Sequence, residues 1–199
     1  RSMKIIGLTG PTGSGKTTVS LLAEELGFAV IDCDRLARRV TERGSAVLRM
    51  LAESFGKEII LPDGTLDRKA LAARAFSSPE STQALNGIML PAVARLVESE
   101  IDKLEADGIK RVLLDAPTLF ESGLDKKCDS VIAVLCPESI RKKRIIERDR
   151  LTEEQADTRL SASKPDEFYR DRTAFAVVND GDISHFKASV YHLFNLLGE

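Results

Sequence analysis

A three-layer α/β fold, with a five-stranded parallel sheet between helices, is predicted by three features of the sequence. The strongest is Gly10-Pro11-Thr12-Gly13-Ser14-Gly15-Lys16-Thr17, which fits the phosphate-binding pattern G-x-x-x-x-G-K-[ST] at every fixed position. The second is its setting. A short apolar run, Lys4-Ile5-Ile6-Gly7-Leu8, precedes it, and Val19, Leu22, Ala23 and Leu26 recur behind it at helical spacing. The third is that four later apolar runs are continuous, as in strands buried on both faces, and are separated by helical patterns.

The loop's residue types follow from what an anion requires. Glycines let the backbone curl so that successive N–H groups point inward at phosphates. Lys16 reaches the outer phosphates as a point charge, and the Thr17 hydroxyl holds Mg²⁺. The helix that starts here adds its positive end. Thr12, Gly13, Ser14, Gly15, Lys16, Thr17 and Thr18 are therefore the candidate nucleotide contacts.

Composition limits the alternatives. The 199 residues carry a net charge of −2, which argues against general nucleic-acid binding. Three cysteines, odd in number and without C-x-x-C spacing, suggest neither a disulfide framework nor a zinc site, and fit a reducing cytosol. No apolar run approaches the roughly 20 residues that span a bilayer. The expectation is a cytoplasmic protein with one domain over residues 3–199, Arg1-Ser2 being an expression remnant ahead of the natural start at Met3.

Gly27 stops the first helix, and Phe28-Ala29-Val30-Ile31-Asp32 reads as the second strand. Asp32-Cys33-Asp34 then puts two carboxylates at a strand's carboxyl end, where open α/β sheets bind ligands. An acid closing an apolar strand is otherwise poorly placed, so Asp32 is the functional candidate. Either acid alone could instead be the N-cap of a helix starting at Arg35, and for Asp34 that role and a ligand role are equally suited.

Residues 36–108 read as mainly helical, and too long for a simple crossover, so they are expected to build a substrate-side cap. One apolar stripe is Val47, Leu48, Leu51 and Phe55; another is Leu71, Ala72, Ala75 and Phe76. Pro62-Asp63-Gly64 is a turn and Ser78-Pro79 a helix start. A separate long helix is expected from about Pro91 to Asp107, with Val93, Val97, Ile101 and Leu104 on one face.

Arg111-Val112-Leu113-Leu114-Asp115 is the third strand, ending in an acid as a Walker-B strand does. The fourth is residues 130–136, and Pro137 opens a helix bearing Arg141, Lys142, Lys143, Arg144, Arg148 and Arg150. Arg144 and Arg148 are four apart, hence on one face, and suit an anion-binding lid over about 141–172. Thr152-Glu153-Glu154-Gln155 is a capping box opening the helix that carries Arg159. Residues 174–178 form the fifth strand and Asn179-Asp180-Gly181 its turn. The last helix, about 183–197, buries Phe186, Val190, Phe194 and Leu197.

Taken together, Gly7-Leu8-Thr9-Gly10 and the loop, Val30-Ile31-Asp32-Cys33-Asp34, Asp115-Ala116-Pro117-Thr118-Leu119-Phe120-Glu121, Arg144 with Arg148-Asp149, and Asn179-Asp180-Gly181 resemble the dephospho-coenzyme A kinase family over essentially the whole chain. The resemblance implies a P-loop kinase-like core with a helical substrate-binding insertion and a mobile lid. It implies transfer of the ATP γ-phosphate, with Mg²⁺, to the ribose 3′-hydroxyl of dephospho-coenzyme A, the final step of coenzyme A synthesis. It further implies Asp32 as proton acceptor with Lys16, Arg144 and Arg148 as catalytic partners, and Asn179 beside ATP. Asp34, Asp115, Pro117, Phe120 and Glu121 would meet the acceptor. The expected partner is the small-molecule substrate, with no nucleic acid or membrane, in a monomer or weak homo-oligomer. Leu90, Ser163 and Phe175 depart from the family pattern and touch the details of acceptor and adenine contacts.

Two rival readings remain open from sequence. One is a nucleoside or nucleotide kinase of the same fold. The other is a GTP-binding switch, for which Ser163-Lys164-Pro165-Asp166 superficially resembles N-K-x-D but lacks the Asn, while no D-x-x-G follows Asp115.

Overall fold

The computed structural model describes residues 3–198, so Arg1-Ser2, expected to be an expression remnant, lies outside the described residues. The chain divides into two compact units, Arg1–Ile31 with Leu104–Glu199, and Asp32–Lys103.

The first unit is a sheet packed by helices. Its strands are β1 (Lys4–Thr9), β2 (Ala29–Asp32, whose last residue begins the second unit), β3 (Arg111–Asp115), β4 (Ser130–Leu135) and β5 (Phe175–Val178). They lie in the order β2-β3-β1-β4-β5, all parallel. β1 sits at the centre, pairing Ile6 with Leu113 on one side and Leu8 with Ile132 on the other. Parallel strands covered on both faces must be apolar throughout, and Ile6, Leu8, Leu113, Ile132 and Val134 are fully buried. All five expected strands are present, with boundaries within a residue or so.

Helix α1 (Lys16–Glu25) packs Val19, Leu22 and Ala23 into this core. It ends where Gly27 was expected to stop it: Gly27 N–H donates to Glu24 O at 2.9 Å and Phe28 N–H to Ala23 O at 2.9 Å, the paired bonds of a Schellman cap. The final helix of this unit (Ile183–Gly198) covers the same core with Phe186, Val190, Phe194 and Leu197. Burying the two phenylalanines stabilises the unit by about 2–3 kcal/mol each.

The second unit is helical. It holds α2 (Cys33–Val40), α3 (Ala46–Phe55), α4 (Arg68–Ala75) and most of α5 (Pro79–Ala106). Leu51, Ile59, Leu71 and Ala75 form its own small core, with Val47, Phe55 and Met89 against it. Two expectations are corrected here. Helix α5 runs unbroken from Pro79 through Pro91, where a separate helix was expected to begin. Proline in a helix removes one backbone donor, but flanking turns with Val93, Val97 and Ile101 on a buried face outweigh that loss. Phe76 does not join the α4 stripe. It is the C-cap of α4 and 66% exposed, because the helix ends before a further turn could carry it inward.

In the first unit, α6 (Glu138–Asp149), α7 (Glu153–Ser161), α8 (Asp166–Arg170) and the closing helix α9 (Ile183–Gly198) complete the chain. Thr152 and Gln155 form the expected capping box at the start of α7.

Candidate active site

β1 and β4 are neighbours whose connections leave the sheet in opposite directions, β1 toward β2 and β4 toward β5. Such a switch point opens a crevice at the strands' carboxyl ends, and the phosphate loop begins there. Two glycines are obligatory in it. Gly10 leaves β1 at φ +147°, and a Cβ there would stand 2.2 Å from the Val134 carbonyl of β4. Gly15, at φ +107°, precedes α1, and a Cβ would stand 2.4 Å from Asn179 Nδ2. Side chains with a Cβ fit neither place.

The loop's polar groups are sorted by direction. Gly13 O accepts from Arg144 Nη1 at 3.1 Å, and Ser14 O accepts from Asn179 Nδ2 at 3.0 Å. Ser14 N–H turns to Pro11 O at 3.3 Å, while the Gly13 and Gly15 N–H groups make no hydrogen bond among the described residues. The Ser14 hydroxyl is buried without a partner among the described residues. Lys16 Nζ lies back on the loop, donating to Gly10 O at 2.8 Å and Pro11 O at 3.2 Å. Backbone donors without acceptors beside an ammonium group make a receptor for an anion.

Thr17 is exposed in the first turn of α1, and Thr18 N–H bonds to Gly15 O at 3.1 Å. One turn on, Ser20 Oγ donates to Asp115 Oδ2 at 2.9 Å, which holds the acid ending β3 against the Thr17 side of α1. A hydroxyl and a carboxylate are hard oxygen donors, so these residues fit Mg²⁺, which takes few protein ligands and keeps its waters.

Asp32 ends β2, is exposed, and caps α2: its Oδ1 accepts from Asp34 N–H at 2.9 Å and Arg35 N–H at 3.1 Å. The cap expected of Asp34 is thus supplied by Asp32. The helix starts at Cys33, two residues earlier than expected, because Asp32 reaches the orphan donors first. Asp34 lies exposed in the first turn. Both cap bonds go to Oδ1, so Oδ2 of Asp32 carries no hydrogen bond among the described residues.

The two arginines expected to act together are apart in their contacts. Arg144 is half-buried on the phosphate loop, and its Nη2 also donates to Asn179 Oδ1 at 3.4 Å. Arg148 is exposed and bidentate to Asp149, with bonds of 2.8 and 2.9 Å, while Arg159 of α7 bonds the same carboxylate. Asp149 is held down at about 2, first by its bonds to Arg148.

Among the expected acceptor contacts, Pro117 O accepts from Thr9 Oγ1 at 3.3 Å. Phe120 stacks edge-on to Phe168 at 6.0 Å and belongs to the cluster around Tyr169. Burial, and secondarily the exposed Glu121 carboxylate, push the Tyr169 phenol up to about 12. Sequence reasoning placed Arg141 on the basic helix without a role of its own; it is 5% exposed and donates from Nε to Cys136 O at 3.1 Å and from Nη1 to Thr12 O at 3.5 Å. Its signal was present: Arg141 and Arg144 are three apart on the helix opening right after β4. Cys136 was missed too. Its buried thiol accepts from Arg144 Nη1 at 3.4 Å, and burial pushes it up against the opposing pull of the arginines.

The family model described as dephospho-CoA kinase matches residues 4–185. A dephospho-CoA kinase of Corynebacterium glutamicum is 40% identical over 188 residues, 94% of each chain. Among solved structures, TT1252 from Thermus thermophilus superposes with a TM-score of 0.82 at 34% identity over 99% of both chains. A dephospho-CoA kinase from Campylobacter jejuni shares the fold with a TM-score of 0.70, at 23% identity over 96% of this chain and 95% of that one.

Proposed function

This chain belongs to the dephospho-CoA kinase family, and on that premise we propose how its own residues carry the transfer of the ATP γ-phosphoryl group to the ribose 3′-hydroxyl of dephospho-CoA. That reaction is the last step of coenzyme A synthesis. In it the hydroxyl oxygen forms a bond to the γ-phosphorus, the bond from that phosphorus to the bridging oxygen breaks, and ADP leaves. The observation that supports the reading best is the loop itself, with its carbonyls turned onto side chains and the Gly13 and Gly15 donors unpaired.

The β- and γ-phosphates take the loop's inward N–H groups. Full charges on phosphate oxygens attract an ammonium more strongly than the neutral carbonyls of Gly10 and Pro11, so Lys16 moves onto them. Thr17, with Asp115 behind it, would hold Mg²⁺, which when bound would neutralise phosphate charge. Arg144 stabilises the charge that spreads over the transferring group, a role worth ~10³–10⁵ in rate where it has been measured in other enzymes. Asp32 takes the hydroxyl proton on Oδ2 while Oδ1 continues to cap α2. Arg148 comes to the phosphates by leaving Asp149, as the segment of about 141–172 closes. Thr12, Thr18 and Asn179 line the nucleotide side, and Asp34, Asp115, Pro117, Phe120 and Glu121 the acceptor side, with the helical segment of about 36–108 contributing to acceptor binding. We place the enzyme in the cytoplasm, as a monomer or weak homo-oligomer. The thiols of Cys33, Cys128 and Cys136 suit a reducing compartment, and among the described residues no helix is long and apolar enough to cross a membrane.

The test is turnover by the purified protein with ATP and Mg²⁺, offered dephospho-CoA, nucleosides and nucleoside monophosphates in parallel. Coenzyme A should form at least a hundredfold faster than any other product. Preferential phosphorylation of a nucleoside or nucleotide would overturn the assignment of acceptor.

A further inference from the structure

Three consecutive carbonyls of the phosphate loop are each taken by a side chain from far along the sequence. Thr12 O accepts from Arg141, Gly13 O from Arg144, and Ser14 O from Asn179. Arg141 and Asn179 are 5% and 3% exposed, so both belong to the interior. Asn179 is itself fixed, its N–H donating to Leu135 O at 2.7 Å beyond the β4–β5 ladder. The loop and α6 are pressed together as well: a Cβ on Gly13 would stand 3.1 Å from the Arg141 carbonyl.

A trans peptide points its carbonyl and the following N–H in opposite directions, and no peptide among the described residues is cis. Drawing the Thr12, Gly13 and Ser14 carbonyls outward therefore turns the N–H groups of Gly13, Ser14 and Gly15 the other way. An isolated loop would have to find that arrangement against its own conformational freedom, at roughly 1–2 kcal/mol per residue fixed. We propose that Arg141 and Asn179 are positioning residues that, with Arg144, pre-set the phosphate loop by holding its carbonyls, and that Asn179 also aims the Arg144 guanidinium. Asn179, although on the nucleotide side of the site, acts on the triphosphate through the loop and makes no contact of its own with the base or ribose. The first turns of α6 then belong to the fixed frame of the site, so of the segment of about 141–172 only the part beyond Arg144 moves in closure. This inference rests on the loop being the triphosphate site.

Inorganic tripolyphosphate separates the possibilities, because it presents phosphates without a nucleoside. Asn179→Ala should weaken binding of ATP and of tripolyphosphate by the same factor, about tenfold, as expected for one lost buried hydrogen bond next to charge. KM for dephospho-CoA should stay within about twofold of the wild type, whereas a misfolded fraction would lower binding stoichiometry and leave the dissociation constants of both phosphate ligands unchanged. Arg141→Met, which keeps bulk and removes the donors, should show the same paired loss and serves if Asn179→Ala does not fold. In kcat, Asn179→Ala and Arg144→Ala should be strongly non-additive, as residues acting as a unit are. A loss for ATP with tripolyphosphate binding unchanged would assign Asn179 to the nucleoside and overturn the proposal, as would additive effects on kcat. Failure of the wild type to bind either ligand would instead remove the reading of the loop on which this rests.

Discussion

Asp32 carries two roles on one carboxylate, and three substitutions pull them apart. Oδ1 caps α2 with bonds of 2.9 and 3.1 Å, while Oδ2 is the proposed proton acceptor. Asn and Ser cap helices about as well as Asp, whereas Ala loses about 1 kcal/mol. For a chain of this size that is a drop of about 2–4 °C in melting midpoint. Asp32→Asn and Asp32→Ser should therefore melt like the wild type, and only Asp32→Ala should melt lower. All three remove the base, so kcat should fall in all three by about 10²–10⁴-fold. Because the proton moves only in the transition state, ATP affinity should stay within about threefold. The assay is continuous detection of ADP at saturating ATP and dephospho-CoA, beside calorimetric ATP titration and thermal melts on the same preparations. If Asp32→Asn keeps more than about a third of wild-type kcat, the carboxylate does no proton transfer of consequence and its place at the end of β2 is explained by capping alone. If kcat instead follows melting midpoint across the three variants, the loss is structural and the mechanism is wrong.

Three further outcomes can be checked independently. Gly10→Ala drives a Cβ to 2.2 Å from a carbonyl of the central sheet, which cannot yield, so a loss of about 2–6 kcal/mol is expected, read as a collapse in melting temperature or soluble yield. Gly87→Ala acts in the other direction. Gly87 is exposed within α5 with open space around its would-be Cβ, so a gain of about 0.5–1 kcal/mol in denaturant unfolding is expected. The Cys128 thiol is pushed up to about 12 by burial and then by the Asp125 and Asp129 carboxylates, which favours the neutral form at any lower pH. Only the thiolate reacts, so iodoacetamide at pH 8.5 should label Cys128 roughly 10³-fold more slowly in native than in unfolded protein, as followed by mass spectrometry of its peptide. Equal rates would contradict that environment.

Much of the architecture is local and was therefore legible in the chain. A strand buried on both faces must be apolar throughout, which marks Ile5 to Leu8 and Ile132 to Leu135 without any tertiary knowledge. The glycines, Lys16 and Thr17 are demanded by anion chemistry at fixed spacing, and the Thr152–Gln155 box closes on itself within four residues. Helix boundaries in residues 36–108 were less legible, because whether α5 continues through Pro91 depends on how much of its face is buried, and a proline alone does not say.

The loop's residues, the strand that ends in Asp32 and the presence of a nucleotide phosphate site are all readable from the chain alone. Which side chains hold the loop open depends on contacts made across the folded chain. Arg141, Arg144 and Asn179 stand 129 to 165 residues away from the carbonyls they bind, and no periodicity or spacing reaches that far. The same structure turned Arg148 onto Asp149 and gave the α2 cap to Asp32. Such choices are settled by competition among hydrogen-bond partners, and that competition exists only once distant segments have been brought together by burying the core.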